Sequence, residues 1–140
     1  MSTILVVDDH YDIRLLFEVA LSAGDHRILQ AADGQEALDV LDGEDVDLML
    51  LDLMMPHVSG EDVLDRLGPD IVTPIVIVTA RDFASDLEMA RYLEMGALEV
   101  LQKPPDMDRL LDLVEAMLGV DAEERQRYRQ RRITELRGGR

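Results

Sequence analysis

The stretch ILVVDDH, at residues 4–10, joins four branched apolar residues directly to two adjacent aspartates, Asp8 and Asp9. A short run that is apolar throughout is typical of a strand covered on both faces of a parallel sheet. Four similar runs follow it along the chain. The five predicted strands cover residues 3–7, 27–31, 47–51, 75–79 and 98–101.

Helical patterns separate these strands. In the first pattern, Ile13, Phe17 and Leu21 recur every four residues and would bury one face of a helix. Gly68 and Pro69 end the third pattern, because both residue types commonly terminate helices. The strict alternation of strands and helices predicts an α/β fold, a doubly wound five-stranded parallel sheet with five helices.

The length of 140 residues suits one domain, and the charge of the chain is unevenly distributed. Residues 1–120 hold 7 basic and 26 acidic residues, a net charge of −19, whereas residues 121–140 hold 7 basic and 4 acidic residues, a net charge of +3. An acidic body repels nucleic acids and anionic membranes. The charge therefore favours divalent cations or basic proteins as partners.

Two further features of the sequence concern the compartment. The chain has no cysteine, which fits a reducing environment. It also has no signal-peptide pattern and no apolar run close to the roughly 18 residues that indicate a membrane span. We therefore expect a cytoplasmic protein that does not contact membranes.

Polar residues follow four of the five predicted strands. Asp8 and Asp9 come after the first strand, Asp52 follows the third, Thr79 ends the fourth and Lys103 follows the fifth. Because ligands of open parallel sheets bind at the carboxyl ends of the strands, these side chains are expected to meet at one edge. The sequence thus predicts a site with three carboxylates, a hydroxyl and an ammonium.

This set of groups suits phosphoryl chemistry. Carboxylates about 4 Å apart repel by roughly 4 kcal/mol per pair at an effective dielectric constant of about 20, so a hard divalent cation such as Mg²⁺ is expected beside them. Lys103, the only lysine of the chain, adds a second positive charge. Cations of this kind neutralise charge on a transferred phosphoryl group, and an aspartate can accept that group as an acyl phosphate.

The motifs VVDDH, LLDLMMP and IVTA, together with Lys103-Pro104, occur in the order and at the spacing of one known family. On these residues the chain resembles response-regulator receiver domains, the CheY-like family, over about residues 2–119. The resemblance implies the flavodoxin-like strand order 2-1-3-4-5. It also implies a receiver domain at residues 1–119, followed by a basic extension at residues 120–140.

The resemblance assigns the acidic residues. Asp52 matches the phosphoacceptor. Asp9 and Asp52 match direct Mg²⁺ ligands, and Asp8 matches a residue that assists through a water molecule. The backbone carbonyl of Met54 matches the remaining protein ligand, so Mg²⁺ is the expected cofactor. The neighbouring His10 is interpreted as a loop residue without a chemical role.

The resemblance also assigns the residues around the phosphoryl group. Thr79 matches the switch hydroxyl that moves toward the phosphate, and Ala80 matches the small residue that leaves the phosphate pocket open. Lys103 matches the lysine that contacts the phosphoryl group, and its bond to Pro104 is cis in this family.

The chain departs from the usual pattern of the family at Val100 and Pro105, and two variable positions also bear on its chemistry. Val100 stands where switching receivers carry tyrosine or phenylalanine, so a relay from Thr79 to an aromatic ring is in doubt. Met54 and Arg81 occupy the two variable positions that tune phosphoryl lifetime in the family. Since methionine offers no amide to position an attacking water, slow self-dephosphorylation is expected.

The resulting hypothesis is a phosphoacceptor of a two-component or phosphorelay pathway. A sensor histidine kinase or a histidine phosphotransfer protein would donate the phosphoryl group, and the output would be altered binding of an unknown partner. The expected signalling surface is formed by helix 4, strand 5 and helix 5, and this surface could also support a homodimer. The chain would not be an enzyme, beyond catalysing its own phosphoryl transfer and dephosphorylation.

Three alternatives differ from this hypothesis. The chain could be the receiver fragment of a longer response regulator that has a DNA-binding or other effector domain. An aspartate-nucleophile phosphohydrolase of the haloacid-dehalogenase type is disfavoured, because such enzymes carry a second aspartate where this chain has Met54. A pseudo-receiver that only binds partners is disfavoured by the intact acidic site, although Val100 mildly favours it.

The basic tail, DAEERQRYRQRRITELRGGR at residues 121–140, has three interpretations. The favoured one is an extension of helix 5 into solvent, which the glutamate and arginine content allows. The others are the start of a linker and a basic arm that touches nucleic acid or a partner. About 20 residues are too few for a helix-turn-helix domain, so direct DNA reading by this chain is not expected.

Overall fold

Five parallel strands form the centre of the computed structural model, which describes residues 1–68 and 71–138. The strands lie in the order β2-β1-β3-β4-β5, which confirms the predicted fold and strand order. Their bounds, each within one residue of the prediction, are Ser2–Val7 (β1), His26–Ala31 (β2), Leu48–Leu51 (β3), Ile75–Thr79 (β4) and Glu99–Gln102 (β5).

Six helices surround this sheet in the described residues, so the predicted number of five is wrong. Their bounds are Tyr11–Leu21 (α1), Gly34–Gly43 (α2), Gly60–Leu67 (α3), Asp86–Glu94 (α4), Met107–Leu118 (α5) and Ala122–Leu136 (α6). The prediction that Pro69 helps to end the third helix lies outside the described residues, as do residues 139–140 of the tail.

Side-chain caps fix where most helices begin. In five of the six helices, the residue before the first turn accepts a hydrogen bond from the backbone N–H three positions ahead, which satisfies one of the free donors of a helix start. These residues are Asp33, Ser59, Ser85, Asp106 and Asp121.

The register of the sheet positions the strand ends. Val7 pairs with Leu51, and the N–H of Asp52 donates to the carbonyl of Val7 at 3.0 Å. Between β4 and β5, the N–H of Lys103 donates to the carbonyl of Thr79 at 2.8 Å. Because these backbone bonds tie neighbouring strand ends together, the residues that follow them share one edge.

Both faces of the sheet are covered, as the apolar strands require. Helices α2, α3 and α4 pack on the face that contains Leu5, Met49 and Ile77. Helices α1 and α5 pack on the face that contains Ile4 and Leu50. None of the helices in the described ranges is long and apolar enough to cross a membrane.

The prediction that the tail extends helix 5 into solvent is wrong. Helix α5 ends at Leu118, and Asp121 caps a separate helix, α6, by accepting a hydrogen bond from the N–H of Glu124 at 2.8 Å. Ile133 and Leu136 of α6 are buried in the core. Burial of these two side chains favours a helix that lies against the body. The proposed division of the chain at residue 119 stays a prediction.

Candidate functional site

The ammonium of Lys103 lies between two buried carboxylates at the carboxyl edge of the sheet. Its Nζ donates to Oδ2 of Asp8 and, at 3.1 Å, to Oδ2 of Asp52. Asp8 is 1% exposed and Asp52 is 3% exposed. Three loops, those after β1, β3 and β5, therefore bring together three of the residues that the sequence predicted for this site.

Lys103 keeps its proton at neutral pH in this position. Burial of the ammonium lowers the pKa of Lys103, but the hydrogen bond to Asp8 and the negative charges of Asp52 and Asp8 raise it by more. The pKa of Lys103 therefore stays above its usual value. The site contains a permanent positive charge beside Asp52.

Asp9 supplies an oxygen that suits a cation. Its Oδ1 is buried and accepts no hydrogen bond from any described residue, although Nδ1 of His10 lies 3.1 Å away. A buried acceptor without a donor is costly unless another positive group compensates it. This oxygen and the neighbouring carboxylate of Asp8 fit a hard cation such as Mg²⁺.

His10 is an exposed loop residue, as interpreted, and it lies beside this acidic cluster. One ligand atom each from Asp8, Asp9 and His10 lie within 4.8 Å of one another, and Nδ1 of His10 is 3.2 Å from Oδ1 of Asp8. Only its position next to the two aspartates could have indicated this in the sequence. Asp52 lies outside this compact group, and one of its oxygens contacts Lys103 instead.

Met54 and Thr79 also lie at the positions expected from the strand ends. The N–H of Met54 donates to Oδ1 of Asp52 at 3.2 Å, so a backbone donor and Lys103 each hold one oxygen of this carboxylate. Thr79 is fully buried, and its hydroxyl accepts a hydrogen bond from the N–H of Arg81 at 3.3 Å. The roles of the Met54 carbonyl, the Thr79 hydroxyl and the exposed Ala80 stay predictions.

Arg81 connects the site loop to two helices, a network that the sequence did not predict. Its guanidinium lies 2.8 Å from Oε1 of Glu61 on α3 and 2.6 Å from Oε1 of Glu88 on α4. It also donates to the hydroxyl of Tyr92 and lies 5.6 Å from the ring of Phe83. Phe83 and Tyr92 thus both contact Arg81, whereas Val100 is buried in the core.

The Lys103-Pro104 peptide bond is cis, as the resemblance implied. The backbone N–H of Lys103 donates to the carbonyl of Thr79 at the end of β4. The Lys103 side chain extends to Asp8 and Asp52, in the loops after β1 and β3. The loop after β5 therefore presents Lys103 to both carboxylates.

Comparison with known proteins agrees with the fold. A family model described as the response regulator receiver domain matches residues 4–115. The transcriptional regulatory protein CpxR of Escherichia coli is 38% identical over 118 residues, which are 84% of this chain and 50% of that protein. The sporulation initiation phosphotransferase F of Bacillus subtilis is 35% identical over 116 residues, which are 82% of this chain and 92% of that protein. The chain thus spans about half the length of CpxR.

Solved structures show the same architecture. The receiver domain of the Francisella response regulator 1452 superimposes with a TM-score of 0.78 at 28% identity, covering 85% of this chain and 98% of that one. The response regulator TrrA of Thermotoga maritima, solved in complex with Mg²⁺ and BeF, superimposes with a TM-score of 0.71 at 32% identity, covering 84% and 99%. This chain therefore belongs to the response regulator receiver domains of two-component systems.

Proposed function

We propose that this receiver accepts a phosphoryl group on Asp52 in a reaction that requires Mg²⁺. The observation that carries the proposal is the position of Asp52, which is buried between the N–H of Met54 and the ammonium of Lys103. One oxygen of the carboxylate faces a fixed donor and the other faces a fixed positive charge. The buried Oδ1 of Asp9, which accepts no hydrogen bond from the described residues, supports a cation beside them.

The donor in this proposal is a phosphohistidine of a sensor kinase or of a phosphotransfer protein. An oxygen of Asp52 forms a bond to phosphorus while the phosphorus–nitrogen bond of the donor breaks, and the imidazole leaves. Lys103 stabilises negative charge on the transferred oxygens, and the hydroxyl of Thr79 is the proposed donor to one of them. Mg²⁺, held by Asp8, Asp9, Asp52 and the carbonyl of Met54, would supply further positive charge.

The proposed output is a change in partner binding rather than turnover of a separate substrate. A new charge on Asp52 attracts the hydroxyl of Thr79, whose present partner is the N–H of Arg81. Arg81 contacts α4 through Glu88 and Tyr92, so a shift of this loop biases the position of α4. We place this signalling domain in the cytoplasm, and a longer regulator with an effector domain is compatible with the same site.

The direct test is incubation of the chain with acetyl phosphate, followed by intact mass measurement. With MgCl₂ we expect the addition of one phosphoryl group, which hydroxylamine removes because it is an acyl phosphate. With EDTA in place of MgCl₂ we expect no addition. Uptake that does not depend on Mg²⁺, or a product resistant to hydroxylamine, would contradict the proposal.

The phosphorylated chain is expected to lose its phosphoryl group slowly, over much longer than seconds. The side chain of Met54 is 55% exposed and has no group that can position an attacking water. The measurement is the decay of the phosphorylated mass after acetyl phosphate is removed. A lifetime of seconds in the unaltered chain would contradict the prediction.

A pair of variants separates the effect of residue 54 from a general effect on the fold. Met54→Asn introduces an amide beside Asp52 and is expected to shorten the lifetime several-fold. Val72→Asn makes a similar change at an exposed apolar residue just before β4, at the opposite edge of the sheet, and should leave the lifetime unchanged.

A further inference from the structure

Helix α6 covers one side of the molecule, at the open edge of the sheet. Strand β5 is an edge strand that pairs only with β4 among the described strands. We call the surface formed by α4, β5 and the end of α5 the edge face, and it includes Leu93, Glu94, Glu99 and Met117. All four residues lie in the elements through which a receiver of this kind was expected to signal.

Apolar contacts hold one side of α6 on the edge face. Ile133 and Leu136 are three residues apart, so they lie on the same side of the helix. Both are buried in the core cluster that includes Leu93 of α4 and Val100 of β5. Their burial removes apolar surface from water and favours the docked helix.

A buried carboxylate provides the main polar contact. Glu99 of β5 is 0% exposed, and Arg132 of α6 binds it through Nε at 2.6 Å and Nη2 at 3.2 Å. The hydroxyl of Tyr128 donates to the same carboxylate at 2.8 Å. Both of its side-chain partners among the described residues therefore come from α6.

The pKa values of these groups agree with a closely packed cluster. Burial and the hydrogen bond to Glu99 raise the pKa of Tyr128 to about 12. The hydrogen bond to Glu99 raises the pKa of Arg132 above its already high value, although burial opposes this. The carboxylate, the guanidinium and the hydroxyl thus form one hydrogen-bonded network.

Arginines of α6 also bind the carboxyl ends of two helices. Nη1 of Arg129 donates to the carbonyl of Leu93 at 2.7 Å, in the last turn of α4. Nη1 of Arg125 donates to the carbonyl of Met117 at 2.9 Å, in the last turn of α5. Carbonyls at the carboxyl ends of helices carry partial negative charge, so cationic side chains are favoured there.

We propose that the edge face is a binding site for a basic amphipathic helix, and that α6 is its occupant in this chain. The face offers an apolar strip, one buried carboxylate and two helix ends, and all of these match a helix with arginines and two apolar residues. A partner that binds here must present a helix of this chemistry and must displace α6. This binding site lies on the expected signalling surface of α4, β5 and α5, and binding to it can be measured without a phosphoryl group.

The short connection between α5 and α6 favours binding of α6 to the edge face over binding of a separate partner helix. Only residues 119–121 join the two helices, and a short linker holds a segment at an effective concentration of about millimolar. A partner at micromolar concentration therefore competes poorly unless the docking of α6 on the edge face is weakened. The expected homodimer through this face would meet the same barrier.

The test uses a synthetic peptide of residues 121–138 as the competing helix, with the full chain as its target. The Ile133→Glu variant places a charge in the buried contact and should release α6. Thr134→Glu makes the same change at an exposed neighbour on the same helix and serves as the matched control. Hydrogen exchange of the α6 amides reports whether the helix is docked.

We expect the peptide to bind the Ile133→Glu chain at least about tenfold more tightly than the unaltered chain or the Thr134→Glu chain, because only the first has an open face. A peptide with Arg132→Ala should bind the open chain roughly ten- to hundredfold more weakly, since it lacks the bond to Glu99. Equal binding to all three chains would overturn the proposal, and so would a released α6 with no peptide binding.

Ile133→Glu could also unfold the body of the protein, which exchange of the β1 and β3 amides would reveal. In that case the milder Ile133→Ala variant replaces it, because it shortens the buried side chain without adding charge. Peptide binding above that of the unaltered chain would support the proposal. Unchanged binding together with faster exchange in α6 would overturn it.

Discussion

The Asp52→Asn variant is expected to take up no phosphoryl group from acetyl phosphate, even at saturating Mg²⁺. An amide oxygen of asparagine is a far weaker nucleophile than a carboxylate and forms no stable acyl phosphate. The variant also removes one of the negative charges that would attract a cation. The expected loss is complete rather than partial, because the acceptor atom itself is changed.

The fold should survive this substitution. Asparagine has nearly the shape of aspartate, and its side-chain oxygen can still accept the hydrogen bond from the N–H of Met54. Lys103 keeps its contact with Asp8, so its ammonium stays paired. Circular dichroism and urea unfolding should therefore show a folded protein, which separates lost chemistry from lost structure.

The control variant is Asp12→Asn, which removes an exposed carboxylate from the first turn of α1. It carries the same change in charge close to the site, but it should be phosphorylated like the unaltered chain. Intact mass measurement compares the three proteins after equal incubation. A phosphoryl group that is present on Asp52→Asn and sensitive to hydroxylamine would show that another carboxylate is the acceptor.

Much of the fold follows from short-range signals in the sequence. Five apolar runs mark strands buried on both faces, and the helical spacing between them implies crossover connections. The site follows from the same reasoning, because Asp8, Asp52, Thr79 and Lys103 all stand at predicted strand ends. In the structure, Lys103 contacts both Asp8 and Asp52. This meeting could be predicted because the carboxyl ends of parallel strands lie at one edge of the sheet, whatever the packing of the side chains.

The parts that could not be predicted depend on contacts between distant segments. Helix α6 has only Ile133 and Leu136 as buried apolar residues, a pattern too sparse to indicate on which surface it packs. Its docking depends on Glu99, which as a single acidic residue in a predicted strand gives no sign of its partner. The Arg81 network likewise joins Glu61 and Glu88 across two helices. Local periodicity contains no information on such pairs.

The Gly60→Ala variant is expected to lose about 3 kcal/mol or more of unfolding free energy, at the upper end of the usual cost of overpacking. A Cβ atom on Gly60 would clash with the carbonyl oxygen of Asp52 and would lie 2.7 Å from Cα of Leu53. Both are backbone atoms, so no side-chain rotation can relieve the contact. The expected cost therefore exceeds that of crowding a flexible side chain.

Relief of this contact requires movement of the backbone in one of two places. The start of α3 could move outward, which would break the bond from the N–H of Gly60 to the carbonyl of Leu53 at 3.1 Å. Alternatively, the segment of Asp52 and Leu53 could shift and carry the acceptor carboxylate away from Lys103. In the second case, phosphoryl uptake from acetyl phosphate should fall together with stability.

Gly43→Ala provides the matched control for this prediction. Gly43 is the last residue of α2, and a Cβ atom there would meet nothing within 4 Å. Because alanine favours a helix over glycine by roughly 0.5–1 kcal/mol, this variant should be as stable as the unaltered chain or slightly more stable. Urea unfolding of the three proteins gives the comparison. If Gly60→Ala unfolded at the same urea concentration as Gly43→Ala, the predicted cost of crowding the backbone of Asp52 and Leu53 would be refuted.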